Sequence, residues 1–280
     1  MEKRNIREAV RAGYARIAKR GGSCCGSGKP CCADASLAEG VSERIGYTRA
    51  ELSAVPEGAN LGLGCGNPTA LASLKPGETV LDLGSGAGLD CFLAAKEVGE
   101  NGRVIGVDMT PEMVEKAREN GRQGGYGNVE FRLGEIEHLP VADASVDVVL
   151  SNCVINLSPD KPGVFAEAFR VLRPGGRMMV SDIVLLEELP ASVRDSVEAY
   201  VGCLSGAMMK ADYLEAIGSA GFEGVSIVQE SSFPVECVAN DPTVVGVIES
   251  LGIPAEEVGQ LGRSVASVTV HAEKPTEGTR

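Results

Sequence analysis

The sequence predicts a doubly wound, mostly parallel α/β sheet between Lys75 and Ile183, which two later strands extend to seven. Three observations predict it. Short apolar segments rich in Val, Ile and Leu alternate with stretches of helical periodicity, the rhythm of a parallel sheet covered on both faces. A glycine-rich turn, Gly84-Ser85-Gly86-Ala87-Gly88, separates the first strand from the first helix of that rhythm. An acid, Asp108, ends the second strand twenty residues after Gly88.

Ahead of the rhythm, Ile6, Val10, Tyr14 and Ile17 recur at helical spacing, and Gly21-Gly22 closes that helix. Residues 22–32 hold too much Gly and Cys for regular structure, with Cys24-Cys25 and Cys31-Cys32 as vicinal pairs. Thr48 and Glu51 fit a capping box for a helix reaching Val55. Leu61 to Pro68 is a glycine-broken loop that contains Cys65. Pro76-Gly77 then turns the chain into the strand Thr79–Leu83, followed by a helix over Leu89–Val98, the strand Arg103–Val107 and a helix over Pro111–Asn120. Strands at Asn128–Leu133 and Ser145–Leu150 and a helix over Val164–Leu172 come next. Pro174-Gly175-Gly176 predicts a turn before a fifth strand, Arg177–Ile183.

Beyond the fifth strand the order breaks. Leu185–Met209 reads as a helical insertion carrying Cys203, and Ala211–Ala220 as a helix stopped by Gly221. The strands Val225–Glu230 and Val265–His271 flank a largely helical excursion, Asn240–Leu261. The chain thus divides into an amino-terminal extension with the Cys-rich and Cys65 loops (1–74), a core (75–183), and an insertion with the last two strands (184–280).

Composition bounds the partners. The 280 residues are 44% hydrophobic and 23% charged, which suffices for a packed core. A net charge of −13 repels phosphate backbones and anionic lipid, so neither nucleic acid nor membrane is expected as a partner. No apolar run is long enough to span a bilayer, and the start carries no secretory apolar region, so the expected compartment is the cytoplasm. There, the nine cysteines should be reduced, which leaves soft-metal ligation, redox chemistry, catalysis or burial.

A glycine loop after the first strand and an acid after the second are the signature of an adenosyl ligand. The loop alone would serve equally to let a helix and a strand pack closely. A dinucleotide fingerprint needs a third glycine where Leu89 stands, and no Lys-Ser/Thr follows to make a phosphate-cradling loop. The phrase Asp82-Leu83-Gly84-Ser85-Gly86-Ala87-Gly88 resembles motif I of the class I S-adenosylmethionine methyltransferases, and the resemblance extends over Lys75 to Ile183. It implies S-adenosylmethionine as cofactor, with Gly84, Ser85 and Gly86 along the methionine portion and Asp82 and Gly88 completing the motif. It further implies Asp108 on the ribose, Met109 flanking the adenine, Glu135-Ile136 at the adenine edge, and Asn152 near the methionyl end.

Three loop phrases carry a narrower resemblance. Gly64-Cys65-Gly66-Asn67-Pro68, Ser151-Asn152-Cys153-Val154-Ile155-Asn156-Leu157 and Gly202-Cys203-Leu204-Ser205-Gly206 together look like the arsenite methyltransferase family. The resemblance implies that Cys65, Cys153 and Cys203 bind trivalent arsenic as thiolates. Soft arsenic selects sulfur over oxygen, and a pyramid of three thiolates leaves its lone pair open toward a methyl donor. It also implies arsenite and methylarsenite as substrates, mono- and dimethylated arsenic as products, and thioredoxin or glutathione as reductant. Cys24 or Cys25 would serve in capture or redox exchange. The vicinal pairs lack the spacing of a zinc site, so no zinc is expected. Cys91 and Cys237 are expected in the core, and His138 and His271 in structural roles. Two rivals remain at this point: a methyltransferase of a small lipid or quinone, which shares the Arg173-Pro174-Gly175-Gly176 turn, and a metalloid-binding sensor without turnover.

Overall fold

The computed structural model describes residues 3–20, 32–189, 206–232 and 264–276. Seven strands form one sheet in the order β3-β2-β1-β4-β5-β7-β6. They are β1 (Thr79–Leu83), β2 (Arg103–Asp108), β3 (Val129–Leu133), β4 (Val146–Asn152), β5 (Leu172–Leu185), β6 (Glu223–Ser232) and β7 (Val265–Glu273). The first five pair in parallel. β7 runs antiparallel between β5 and β6. No helix among the described residues is long and apolar enough to cross a membrane.

The helices among the described residues are α1 (Lys3–Arg20), α2 (Cys32–Arg44), α3 (Arg49–Ser53), α4 (Pro68–Leu71), α5 (Leu89–Val98), α6 (Pro111–Gln123), α7 (Lys161–Val171) and α8 (Lys210–Ser219), with a 3₁₀ turn at Ile155–Leu157. Strand alternation sends Leu81, Leu83, Val149 and Val180 into a core with Phe165 of α7 and Tyr213 and Ile217 of α8. Val80, Val104, Leu150 and Met179 point the other way, onto Phe92, Ala94 and Val98 of α5. A sheet with both faces buried needs the continuous apolar strands that the sequence carries.

Three expectations need correction. Helix α2 begins at Cys32, the last residue of the stretch expected to be irregular, and runs through residues to which the sequence assigns no element. Its apolar residues do not segregate to one face, so the periodicity that marks a surface helix is absent. Pro174-Gly175-Gly176 lies within β5 rather than ahead of it, because Leu172 already pairs with Val146 of β4. Gly175 takes φ +78° there, and a register shift between Val146 and Val148 absorbs the extra residues. The loop phrase Asn67-Pro68 opens the short helix α4, where the Asn67 side chain accepts from the Ala70 N–H and proline takes the first turn. The capping box at Thr48 and Glu51 is present as the sequence suggests. The helical readings at 185–209 and 240–261 fall largely outside the described residues.

Candidate active site

The chain leaves β1 toward β2 and leaves β4 toward β5, so the sheet's direction of progression reverses between the neighbours β1 and β4. Such a reversal opens a crevice beyond the carboxyl ends of the strands. The loops after β1, β2 and β4 bring Gly84, Ser85, Gly86, Asp108, Met109, Asn152 and Cys153 to one cavity. Tyr47 and Asn60 join from the amino-terminal segment, Ile136 from the loop after β3, and Arg7, Val10 and Tyr14 of α1 cover one side.

Acids dominate the floor of this cavity. Asp108 accepts from the Gly86 N–H at 3.0 Å and the Thr110 N–H at 2.8 Å, which fixes its carboxylate at the strand end. Asp90, on the first turn of α5, accepts from the Tyr47 hydroxyl at 2.7 Å, the Thr69 hydroxyl at 2.8 Å and Asn152 Nδ2 at 3.2 Å. Asp82 accepts from the Cys91 thiol at 3.2 Å. Burial pushes the Asp82 carboxyl well above the usual carboxylate range, and the charge of Asp90 adds to it. Burial likewise raises Asp90 and Asp108 against the donors that hold them. Three acids at one site, Asp82 and Asp90 buried and Asp108 partly so, favour a ligand that brings positive charge and hydroxyl donors. Two further groups call for a polar ligand. Ser85 Oγ and Asn60 Nδ2 are buried without a hydrogen-bond partner among the described residues. The Gly62 N–H and the Ser42 hydroxyl both donate to Asn60 Oδ1, so its amide is held with Nδ2 as the spare donor. A ligand with a cationic centre, ribose hydroxyls and a carboxylate fits this donor set.

The thiols sit beside the cavity. Cys153 follows β4 with φ +59°, a left-handed backbone conformation that non-glycine residues seldom adopt. Its N–H is anchored on the Ser181 carbonyl at 2.8 Å. Cys65 is drawn to it from both backbone sides. Its N–H donates to Asn152 Oδ1 at 3.0 Å, and its carbonyl accepts from the Ser267 hydroxyl at 2.6 Å. The flanking glycines are steric requirements. A Cβ at Gly64 would lie 2.7 Å from Asn152 Nδ2, and one at Gly66 2.6 Å from Ser181 Oγ. As a result, ligand atoms of Cys65, Cys153 and Asp182 all lie within 4.8 Å of one another, each residue buried. Burial pushes the Asp182 carboxyl up to about 7, against donors that include the Ile183 N–H and the Tyr213 hydroxyl.

Of the residues singled out from sequence, Asp82, Gly84, Ser85, Gly86, Asp108, Met109, Ile136, Asn152 and Cys153 line the cavity. Gly88, Glu135 and Cys65 do not. A Cβ at Gly88 would meet Phe92 at 2.7 Å and Phe131 at 2.9 Å, so this glycine lets α5 pack against the sheet. The Glu135 carboxylate is engaged by Arg7 and Arg11 of α1. Cys91 is buried in the core, as its reading suggests. Cys24, Cys25, Cys203 and Cys237 lie outside the described residues. Sequence reasoning missed Tyr47, Asn60, Asp90 and Asp182. For Asp182 a signal existed, because Ser181-Asp182 interrupts the otherwise apolar run from Met178 to Leu185. An acid such as Asp90 in a first helical turn ordinarily reads as a complement to the helix dipole.

The geometry has counterparts among known proteins. A methyltransferase-domain family matches residues 74–221. An arsenite methyltransferase from Halobacterium salinarum is 56% identical over 276 residues, covering 96% of this chain and 66% of that protein. One from Aquipseudomonas alcaligenes is 37% identical over 212 residues, covering 73% of this chain and 59% of that protein. The chain therefore spans just under two thirds of the length of these curated relatives, or less. The solved structure of an arsenic(III) S-adenosylmethionine methyltransferase from Chlamydomonas reinhardtii superposes with a TM-score of 0.63 and 35% identity, covering 85% of this chain and 74% of that one. A likeness of that extent and identity goes beyond a shared fold, and with the domain match it decides the family: the chain belongs to the arsenite S-adenosylmethionine methyltransferases.

Proposed function

We propose that this protein transfers methyl groups from S-adenosylmethionine to arsenite held by its own thiolates, giving mono- and then dimethylated arsenic. The observation that carries the proposal is the convergence of Cys65 and Cys153, from two separate loops, beside a cavity lined by the glycine loop and the strand-end acid. On this reading Asp108 takes the ribose hydroxyls, and Met109 and Ile136 flank the adenine. Asp82, Asn152 and the Gly84–Gly86 backbone surround the methionyl end. When bound, the cofactor supplies an electrophilic methyl group on a positive sulfonium.

The work of the chain itself is positioning. Cys65 and Cys153 grip arsenic through sulfur, Cys203 supplies the third thiolate, and the arsenic lone pair stays on the open side. Asn152 carries both halves of the site, accepting from the Cys65 N–H through Oδ1 while Nδ2 donates to Asp90, the Gly66 carbonyl and the Tyr47 hydroxyl. The reaction discharges a sulfonium, so no strong general base is required. That agrees with a chain holding only His138 and His271. The methyl bonds to the arsenic lone pair and leaves arsenic formally oxidised by two electrons. Two thiolates return them by joining as a disulfide, into which Cys24 or Cys25 exchanges and which cytoplasmic thioredoxin or glutathione reduces.

Mass-spectrometric speciation of arsenic after incubation with arsenite, S-adenosylmethionine and excess thiol tests the proposal. Mono- and dimethylated arsenic are the expected products. Arsenite binding with no methylated product, in the presence of bound cofactor, would replace the proposal with a sensor.

A further inference from the structure

Asp182 is 1% exposed, on the strand that carries the Cys153 anchor, yet nothing in the methyl transfer requires it. Its surroundings hold it in one orientation. Asn156 Nδ2 donates to Oδ1 at 2.8 Å, the Ile183 N–H to Oδ1 at 3.1 Å, and the Tyr213 hydroxyl to Oδ2 at 3.2 Å. A carboxylate can accept about four hydrogen bonds, so acceptor capacity remains on a group within 4.8 Å of both thiols. Two thiols and one oxygen acceptor make a mixed site, and arsenite enters water-borne as a soft atom carrying hydroxyl donors.

We infer that Asp182 is a substrate-binding residue that accepts a hydrogen bond from the hydroxyl left on arsenic once Cys65 and Cys153 have bonded to it. The inference rests on the arsenite chemistry proposed above. As each thiol bonds to As(OH)₃, one S–As bond forms, one As–O bond breaks, and the hydroxide leaves as water with the thiol proton. Two such exchanges leave a single hydroxyl, which Asp182 holds until a third thiol displaces it as water in the same way. Methylarsenite has only two hydroxyls and loses both to the same pair of thiols, so it presents no hydroxyl to Asp182. The residue therefore favours inorganic arsenite over methylated arsenic during loading.

Asp182→Asn tests this directly. The two donors on Oδ1 retain the amide oxygen there, which turns an NH₂ donor toward the place of Oδ2. The expected result is a fall in kcat/KM on the order of ten-fold for arsenite, and about two-fold or less for methylarsenite. Thermal unfolding and S-adenosylhomocysteine binding check that the variant folds, and Asp182→Ser removes the carboxyl by a second route if the amide does not. Equal losses on both substrates in the Asp182 variants would overturn the inference and make the residue structural. Wild-type protein that methylates neither substrate would instead overturn the proposed function.

Discussion

Cys153 carries its thiol on a backbone that a side chain makes costly. A residue with φ +59° sits in a region that glycine occupies freely and other residues only under constraint. Cys153→Gly should therefore unfold at a higher urea concentration than Cys153→Ala, by about 1 kcal/mol, while both lose arsenite binding. Equal stabilities would remove the argument for strain at this position. Asp108→Ala belongs to the same scale. Losing the acceptor should cost at least ten-fold in S-adenosylmethionine affinity by calorimetry and leave arsenite affinity within about two-fold. The sequence made Asp108 and Cys153 legible because each sits at a strand end in a phrase with a chemical reason. Asp90 and Tyr47 were not legible. They meet across 43 residues of chain, and only the fold sets the Tyr47 hydroxyl 2.7 Å from its partner.

Among the elements, strands were read most securely, because apolar β-branched runs bounded by turns leave few alternatives. α2 escaped notice for the opposite reason, since helix propensity without a segregated face leaves no periodic mark. The edge of the sheet carries its own electrostatic signature. Arg132 donates to both oxygens of Glu130 at 2.8 and 3.1 Å, and Arg103 of β2 reaches the same carboxylate. The hydrogen bonds from Arg132, opposed by partial burial and aided by Arg103, lower Glu130 from 4.5 to about 2. A carboxylate lowered by folding contributes stability that is fully present above its unfolded value and is lost as pH falls. Glu130→Gln should thus be less stable than wild type above about pH 4.5, and the two should converge as pH approaches 2. Urea midpoints between pH 2 and 6 check this, and a difference that grows toward acid would refute it. The group is half-exposed, so the effect is modest.

For the whole molecule, the family, the cofactor crevice and the two cysteines that the fold brings together, Cys65 and Cys153, were within reach of sequence reasoning. The mixed character of the thiol site was not, because Asp182 joins Cys65 and Cys153 only through the β4–β5 register and the Ser267 hydrogen bond. The vicinal cysteines allow a test at the largest scale, of the proposed coupling of turnover to an external reductant. With Cys24, Cys25, Cys31 and Cys32 all changed to Ser, steady-state turnover on arsenite should fall severalfold with limiting thiol, while turnover on methylarsenite is largely kept. Wild-type rates on arsenite with both limiting and excess thiol would make the segment dispensable.

The placement of β7 between β5 and β6 sets an order of events during synthesis. Val265 pairs with Leu185, so β7 reaches its slot only after the chain from 186 to 264 has been made. A nascent chain that has emerged through β6 holds every strand of the cofactor crevice, but not the Ser267 hydroxyl that clasps the Cys65 carbonyl. Until then the edges of β5 and β6 present unpaired backbone, a window in which a chaperone has a target and a neighbouring chain has a template. The strands around the glycine loop can therefore pair before β7 is available, whereas Cys65 is clasped by Ser267 only when β7 slots in.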